Sequence, residues 1–438
     1  MEEKYFTLSK FFDKIITNNI VKGEFSMNLP AIAKELYPEN QWEMQEKRYT
    51  NAAARFEELF GHPHTAIFSA PGRSEICGNH TDHNMGKAVG GSVTLDILAF
   101  VSPREDGIIC IMADGFPPVE VDTADTEMKN DEKGDSAALV RGIAFKMKEH
   151  GYKVGGFNAY TTNNVSKGGG LSSSAAFEVV MTSILDTLYN DGTMDRKVMA
   201  LISQFAECVY FGKACGTLDQ LSCAFGGMIA IDFKDPADPQ VRPIDFDFSV
   251  TGHSMVITDV HSDHADLTAD YVAIKSEMQA VANFFDKEYL RELSLAEFEE
   301  KLPELNSKLS ERALIRAYHY FQENDRVDAL HDALQNKDFE AFKQVITASG
   351  NSSYMYLQNI YSDRKPTAQA MSLALCMTHK LLNGKGAWRV HGGGFGGTIQ
   401  AYVPNELVET YTAEMNRVFG EGSSCVLQIR PYGPIRVQ

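Results

Sequence analysis

The stretch KGGGLSSSAA, Lys167–Ala176, places three glycines and three serines between a predicted strand and a predicted helix. The run before it, GGFNAYTTNNV at 155–165, is typical of a strand, whereas FEVVMTSILDTLY at 177–189 has helical spacing. Glycines let backbone N–H groups approach an anion, and the start of a helix favours negative charge. A glycine turn with a serine helix cap is the alternative. The combination of glycines and serines favours a phosphate-binding loop, although it lacks the Lys–Ser/Thr pair of a Walker loop.

A second glycine-rich segment lies near the carboxyl end. The sequence VHGGGFGGTI at 390–399 has five glycines around one phenylalanine, which indicates a backbone conformation that side chains would obstruct. Tight packing of a strand is the alternative interpretation. Two glycine-rich loops, each beside an apolar element, fit a nucleotide held between them.

Two acidic residues belong to the segment AECVYFGKACGTLDQ at 206–220. Asp219 has an apolar context, and a partly buried carboxylate can act as a general base when a cation sets its pKa. A cap or turn role is the alternative for a single aspartate. Glu207 lies twelve residues earlier on a predicted helix, where a metal-ligand role is plausible.

A third polar segment, GRSEICGNHTDHN at 72–84, lies between two predicted strands. So much polar chemistry is unusual for a turn, and its residues alone leave open a metal site, a sugar pocket, a nucleophile centre or a solvated loop. The metal alternative is weak because His80, Asp82 and His83 lack the histidine pair at i, i+4 that is typical of zinc hydrolases.

Composition excludes several classes of protein. The formal charge of −18 argues against a nucleic-acid partner, which requires surplus Lys and Arg. No run of eighteen apolar residues and no signal peptide is visible, so we expect no membrane association. The seven cysteines are scattered without a CxxC pair, which favours a reducing cytoplasm over a disulfide or zinc framework.

The length of 438 residues predicts two domains. The segment DPADPQVRPIDFDF at 235–248 is the best candidate for the boundary between them. We therefore predict a helical extension over 1–48, an amino-terminal domain over 49–245 and a carboxyl-terminal domain over 246–438.

Four segments, APGRSEICGNHTDHN, GGGLSSSA, CGTLDQ and HGGGFGG, occur in this order from residue 70 onward. Together they resemble the GHMP sugar-kinase superfamily, which joins galactokinase, homoserine kinase, mevalonate kinase and phosphomevalonate kinase. The first segment is similar to the signature of the galactokinases. The resemblance covers about Tyr49 to the end of the chain. It implies an α+β fold with a ribosomal-S5-like amino half, a ferredoxin-like carboxyl half and an active site in the cleft.

The resemblance also implies residue roles, an ATP substrate and an Mg²⁺ cofactor. Asp219 matches the catalytic aspartate and Arg73 its arginine partner, while Ser174 and Glu207 match the metal ligands. The positions matching ATP contacts are Gly168, Gly169, Gly170, Leu171, Ser172, Ser173, Ser174, Gly393 and Gly394. The positions matching substrate contacts are Glu75, Asn79, His80, Asp82, Gly216 and Tyr271. The implied reaction phosphorylates the anomeric hydroxyl of D-galactose, by a monomer or weak homodimer.

One departure from the galactokinase pattern concerns the sugar. Glu75 stands where an asparagine is usual and Asn79 where a glutamate is usual, so the pair looks exchanged. If Asn79 faces the sugar in place of a carboxylate, galacturonate is an alternative substrate, and N-acetylgalactosamine is another. A non-catalytic sugar sensor is a further alternative, but the complete GLSSSAA and TLDQ segments favour an enzyme.

Overall fold

The structure is a computed structural model that describes residues 28–165, 170–261, 267–395 and 397–438. The first 27 residues of the predicted helical extension lie outside the described residues.

The strands are β1 Ala66–Cys77, β2 Lys87–Arg104, β3 Ile108–Ala113, β4 Val119–Asp122, β5 Gly156–Asn163, β6 Met228–Asp232, β7 Gln240–Ile244, β8 His253–Asp259, β9 Ala387–His391, β10 Thr398–Pro404, β11 Ser424–Leu427 and β12 Ile435–Arg436. The helices are α1 Ala31–Lys34, α2 Trp42–Phe60, α3 Ser136–Glu149, α4 Ser173–Tyr189, α5 Arg196–Phe205, α6 Leu218–Phe225, α7 Thr268–Phe284, α8 Leu295–Glu300, α9 Leu302–Asn306, α10 Glu311–Gln335, α11 Phe339–Ser352, α12 Ala370–Leu382 and α13 Val408–Phe419.

The first sheet is built around β2, which pairs with β1 along one edge and with β5 and β6 along the other. It is buried along nearly its whole length, because the sheet is covered on both faces there. The sheet order is β12-β1-β2-β5-β3-β4, with β6 and β7 attached to the amino-terminal half of β2. Helix α4 packs over β1 and β2, and the residues just before it contact the middle of β1, where the Arg73 N–H donates to the carbonyl of Leu171 at 3.0 Å.

The second sheet has the order β11-β8-β10-β9 and is antiparallel throughout. Helices α12 and α13 pack against it. Apolar side chains of α10 and α11, including Val327 and Phe342, share one buried cluster with the strands of the first sheet. Strand β12 returns to pair with β1, so the last residues of the chain join the first sheet. Among the described helices, none is long and apolar enough to cross a membrane.

A buried ion cluster ties the segment before β1 to the first sheet. Asp96, which is fully buried on β2, accepts hydrogen bonds from Arg48 at 2.6 Å and from Tyr37 at 2.5 Å. Arg430 lies 3.4 Å from the same carboxylate. Burial raises the pKa of Asp96, but the charges of Arg48 and Arg430 lower it more, so the net shift is downward. The carboxylate is therefore ionised at neutral pH and binds both arginines.

Replacing Arg48 by methionine tests this anchor. We expect Arg48→Met to lower the free energy of unfolding by about 2–3 kcal/mol, because a buried carboxylate loses a charged hydrogen-bond donor. Urea denaturation measures the change. Arg55 on the same helix is the matched control, since it pairs with Glu58 nearer the surface and Arg55→Met should cost less than about 0.5 kcal/mol. Equal losses in the two variants would contradict the anchoring role.

Candidate active site

An ion pair between Arg73 and Asp219 lies at the centre of the site. Arg73 is on β1, and Asp219 is in the first turn of α6. The guanidinium is bidentate: Nε lies 2.7 Å from Oδ1, and the second terminal nitrogen lies 2.8 Å from Oδ2. The two parallel hydrogen bonds align the carboxylate with the plane of the guanidinium. The Asp219 side chain remains 29% exposed. The predicted partnership of these two residues therefore has the geometry of a strong charged pair.

The ionisation of Asp219 follows from its neighbours. Burial raises the pKa of Asp219, but the charge of Arg73 and a hydrogen bond from Ser172 lower it more, and the net shift is downward. The Ser172 hydroxyl donates to Oδ2 at 2.6 Å. Asp219 is consequently an anion at neutral pH, with a weaker affinity for protons than an ordinary aspartate.

The glycine–serine loop contacts both members of this pair. The carbonyl of Gly170 accepts a hydrogen bond from Arg73, and Gly170 has φ +66°. A Cβ at Gly170 would lie 2.9 Å from Nδ1 of His391, so only glycine fits without displacing its neighbour. Helix α4 begins at Ser173, as the sequence predicts. Gly168 and Gly169 lie outside the described residues.

A cavity of about 1190 Å³ opens beside the pair. Arg73, Asp219 and the first residues of α4 line one side of it. The opposite side is formed by the turn at 114–118 and by the end of β5. The cavity is wide enough for a nucleotide, and the amino terminus of α4 borders it, where backbone N–H groups favour anions.

Glu207 is the hub of a buried hydrogen-bond network beside this cavity. It lies in the π-helical turn Ala206–Phe211 that follows α5, and it is 2% exposed. Its Oε1 accepts from the Ser174 hydroxyl at 2.9 Å and from Lys213 at 2.7 Å. Its Oε2 accepts from Gln220 at 2.8 Å. The predicted pair Ser174 and Glu207 is thus brought together, with Lys213 and Gln220 as partners that the sequence did not indicate.

Glu75 and Asn79 contact each other, and Asn79 is buried among hydrogen-bond partners from distant parts of the chain. Its amide nitrogen donates to Oε1 of Glu75 at 3.0 Å and to the carbonyl of Gly392 at 2.8 Å. Its amide oxygen accepts from Asn359 at 2.8 Å, and the residue is fully buried. The hydrogen-bonding groups of Asn79 are therefore already used within the protein, and its contact with a substrate stays a prediction.

Arg389 of β9, in the second sheet, donates a hydrogen bond to Oε1 of Glu75 at 2.8 Å. No hydrogen bond from the described part of the chain reaches its Oε2. Glu75 belongs to β1, and Asn79 belongs to the turn that follows this strand. Gly78 with φ +97° and His80 with φ +58° reverse the chain and bring the two side chains together.

The remaining signature residues gather around the carboxyl-terminal glycine loop. His80 donates through Nε2 to the carbonyl of Gly393 at 2.9 Å. The Tyr271 hydroxyl donates to the carbonyl of Gly394 at 2.9 Å, and its ring centroid lies 6.3 Å from that of His80. Gly393 and Gly394 therefore contact two of the predicted sugar residues and are not among the residues that line the cavity, and their contact with ATP stays a prediction.

Asp82 belongs to the same group through Gly216. A Cβ at Gly216 would lie 2.3 Å from Oδ2 of Asp82, so the carboxylate lies directly against this glycine. Because Gly216 is three residues before Asp219, the loop before α6 connects the group to the ion pair. The glycine and the carboxylate were both predicted, and the structure brings them together.

Two residues of α10 that were not predicted from the sequence hold the turn at 78–80, the signature turn. Glu323 is fully buried and accepts from the backbone N–H groups of Gly78 at 3.0 Å and Asn79 at 3.3 Å. His319 donates through Nε2 to the carbonyl of Asn79 at 2.9 Å. Burial lowers the pKa of His319 to about 4, so it is neutral at pH 7. The sequence signal for this contact is limited to two titratable residues, His319 and Glu323, within a helical pattern.

The comparisons with known proteins agree with this arrangement. The Galactokinase galactose-binding signature matches residues 54–103, and the GHMP kinases N terminal domain matches residues 138–227. Galactokinase of Streptomyces coelicolor is 29% identical over 370 residues, covering 83% of this chain and 91% of that protein.

Solved structures share the fold. Lactococcus lactis galactokinase, crystallised with galactose, superposes with a TM-score of 0.74 at 23% identity, covering 89% of this chain and 100% of its own. Methanococcus jannaschii mevalonate kinase superposes with a TM-score of 0.59 at 14% identity, covering 84% and 98%. The predicted two-domain fold of mixed α and β structure is confirmed, whereas the domain boundaries remain a prediction.

Fold, signature and site together define a GHMP-type sugar kinase, a phosphotransferase. Within that class, the chain is similar in its signature to the galactokinases: it matches their galactose-binding signature and resembles a galactokinase over most of its length.

Proposed function

We propose that this chain transfers the γ-phosphate of ATP to the anomeric hydroxyl of D-galactose, giving α-D-galactose 1-phosphate. The observation that carries the proposal is the Arg73–Asp219 pair, which lies between the nucleotide-sized cavity and the signature residues. A hydroxyl bound beside Asp219 on the signature side would face a phosphate bound at the start of α4. In-line transfer needs this arrangement of acceptor and donor.

Asp219 orients the sugar hydroxyl in this proposal. Its lowered pKa makes it a weak base, so it accepts a hydrogen bond in the ground state and takes the proton late in the transfer. A late proton transfer suits phosphoryl transfer, whose transition state is loose and requires little prior deprotonation. Arg73 keeps the carboxylate ionised and fixes its plane.

The residues near α4 fit an Mg²⁺ ion. The Ser174 hydroxyl and Oε1 of Glu207 are 2.9 Å apart beside the cavity, and a hard cation prefers such oxygen ligands. Lys213 donates a hydrogen bond to the same carboxylate of Glu207. Because its side chain is 56% exposed, it can move away without disturbing the core. The bound ion would neutralise charge on the phosphates of ATP.

The surroundings of Glu75 and Asn79 favour galactose over galacturonate as the substrate. The galacturonate alternative requires an uncharged Asn79 facing the sugar, whereas Asn79 is buried and fully hydrogen-bonded. Glu75 supplies a carboxylate next to it, and we assign Oε2 of Glu75, with His80, Asp82 and Tyr271, to binding of the sugar hydroxyls. A negative charge at this place repels a uronate.

A panel of sugars tests the substrate. ADP release should be fastest by far with D-galactose and slow with galacturonate, N-acetylgalactosamine and glucose, each measured at equal ATP and Mg²⁺. Faster turnover of galacturonate would reverse the assignment of Glu75. Nucleotide binding without turnover of any sugar would favour the sensor alternative.

Glu323→Gln tests how the signature turn is held. The variant loses the charge that binds two backbone N–H groups, so we expect the KM for galactose to rise by about 10-fold while the KM for ATP stays within about twofold. Initial rates measured while galactose and ATP are varied in turn give the two KM values. Glu277→Gln is the matched control, because Glu277 binds Arg312 and Arg316 away from the turn. Equal rises in both KM values would indicate a general structural defect instead.

A further inference from the structure

Two cysteine thiols lie in contact beside Glu207. The Sγ atoms of Cys208 and Cys215 are 3.5 Å apart, and both residues are partly exposed. Cys208 lies in the π-helical turn Ala206–Phe211, and Cys215 lies in the loop that leads to α6. A disulfide requires a sulfur–sulfur distance of about 2.05 Å, so the two sulfurs need to approach by roughly 1.5 Å.

The two thiols have different surroundings. Cys208 Sγ accepts from Nε2 of Gln204 at 3.2 Å and from the backbone N–H of Cys215 at 3.4 Å. Two N–H groups therefore point at the sulfur of Cys208. Cys215 Sγ instead donates to Oε2 of Glu207 at 3.1 Å. The arrangement supplies an attacking sulfur and a resolving thiol in direct contact.

We propose that Cys208 and Cys215 form an oxidative modification site for hydroperoxides. The Cys208 sulfur attacks a peroxide oxygen, the O–O bond breaks, and a sulfenic acid forms while the other oxygen leaves as water or an alcohol. The Cys215 sulfur then attacks the sulfenic sulfur, forming the S–S bond and releasing the hydroxyl as water. The two sulfurs lose two electrons, and the peroxide gains them. A cellular thiol reverses the reaction by disulfide exchange.

The disulfide would act on the proposed catalytic machinery through two connections. It removes the S–H donor to Glu207, one of the proposed Mg²⁺ ligands. It also displaces the loop that contains Gly216, which lies directly against Asp82. Displacements of about 1 Å in such positioning contacts cost on the order of 100-fold in rate. The effect on turnover rests on the proposed function, whereas formation of the disulfide does not.

The test uses the full-length protein, reduced, desalted and then treated with hydrogen peroxide. Trypsin cleaves after Lys213, between the two cysteines, so the disulfide joins peptides 198–213 and 214–234 and mass spectrometry detects the pair without any activity assay. We expect this linked pair, together with a loss of turnover by about 10- to 100-fold that dithiothreitol restores.

Cys208→Ser and Cys376→Ser separate the proposal from general oxidation. Cys208→Ser should retain the turnover of the reduced enzyme and lose both the linked peptides and the inactivation. Cys376→Ser, which removes an exposed thiol, should behave as the unmodified chain. Absence of the linked peptides, or inactivation that persists in Cys208→Ser, would overturn the proposal. If the unmodified chain formed the linked peptides but kept its turnover, the disulfide would not control activity, and that part of the proposal would be overturned. Linked peptides from a chain inactive on every sugar would overturn only the proposed function.

Discussion

Asp219→Asn is expected to lower kcat by about 10²- to 10⁴-fold, the range for loss of a positioned proton acceptor. Asparagine preserves the size of the side chain and one oxygen that Arg73 and Ser172 can reach, so the fold should persist. The charge that orients the sugar hydroxyl is lost. Steady-state rates of ADP release measure kcat, and calorimetric titration with ATP should give a Kd within about threefold of the unmodified value, since Asp219 carries no proposed ATP contact.

Asp328→Asn is the control for this variant. Asp328 pairs with Lys87 and Arg242 near the surface, at a distance from the proposed reacting groups. Its kcat should match that of the unmodified chain. If Asp219→Asn kept more than a tenth of the activity, Asp219 would not be the residue that prepares the hydroxyl.

Arg73→Lys is expected to lower kcat by about 10- to 100-fold, because a lysine cannot reproduce the two parallel hydrogen bonds of the guanidinium. It should also move the acid limb of the pH–rate profile. Burial raises the pKa of Asp219 and Arg73 lowers it, so a weaker pair lets this pKa rise. Activity present above that pKa is lost as the pH falls through it, and the loss should therefore begin at a higher pH in the variant.

Initial rates at saturating galactose and ATP, measured across the acid range, give this profile. Arg242→Lys is the control, since Arg242 is half-exposed and lies in β7. Its profile should coincide with that of the unmodified chain. An Arg73→Lys profile with an unshifted acid limb would show that another group, not Asp219, determines the limb.

The sequence predicted much of the local structure because the local signals were strong. The glycine–serine loop leads into α4, as its residues indicated. The segment around 387–404 forms a strand, a loop and a second strand, whereas its sequence left a strand or a helix open for the last part. The Arg73–Asp219 pair was obtained only through the family resemblance. Nothing in the spacing of two residues 146 positions apart indicates contact.

Long-range contacts account for what the sequence could not predict. Asn79 was expected to face the substrate, but Asn359 and Gly392 from distant segments use its amide group. Glu323 binds the same turn from α10, across 244 positions of the chain. Strand β12 pairs with β1 although only two residues form it. Each contact depends on how helices and sheets pack, which the pattern of one segment does not contain.

The central claim is transfer of phosphate from ATP to the anomeric oxygen of galactose. The most direct test is two-dimensional ³¹P–¹H NMR of the product formed from D-galactose, ATP and Mg²⁺. We expect one new phosphorus signal that correlates with the anomeric proton of an α-galactoside. A signal that correlates with the protons at carbon 6 would contradict the central claim, as would release of free phosphate without a sugar phosphate.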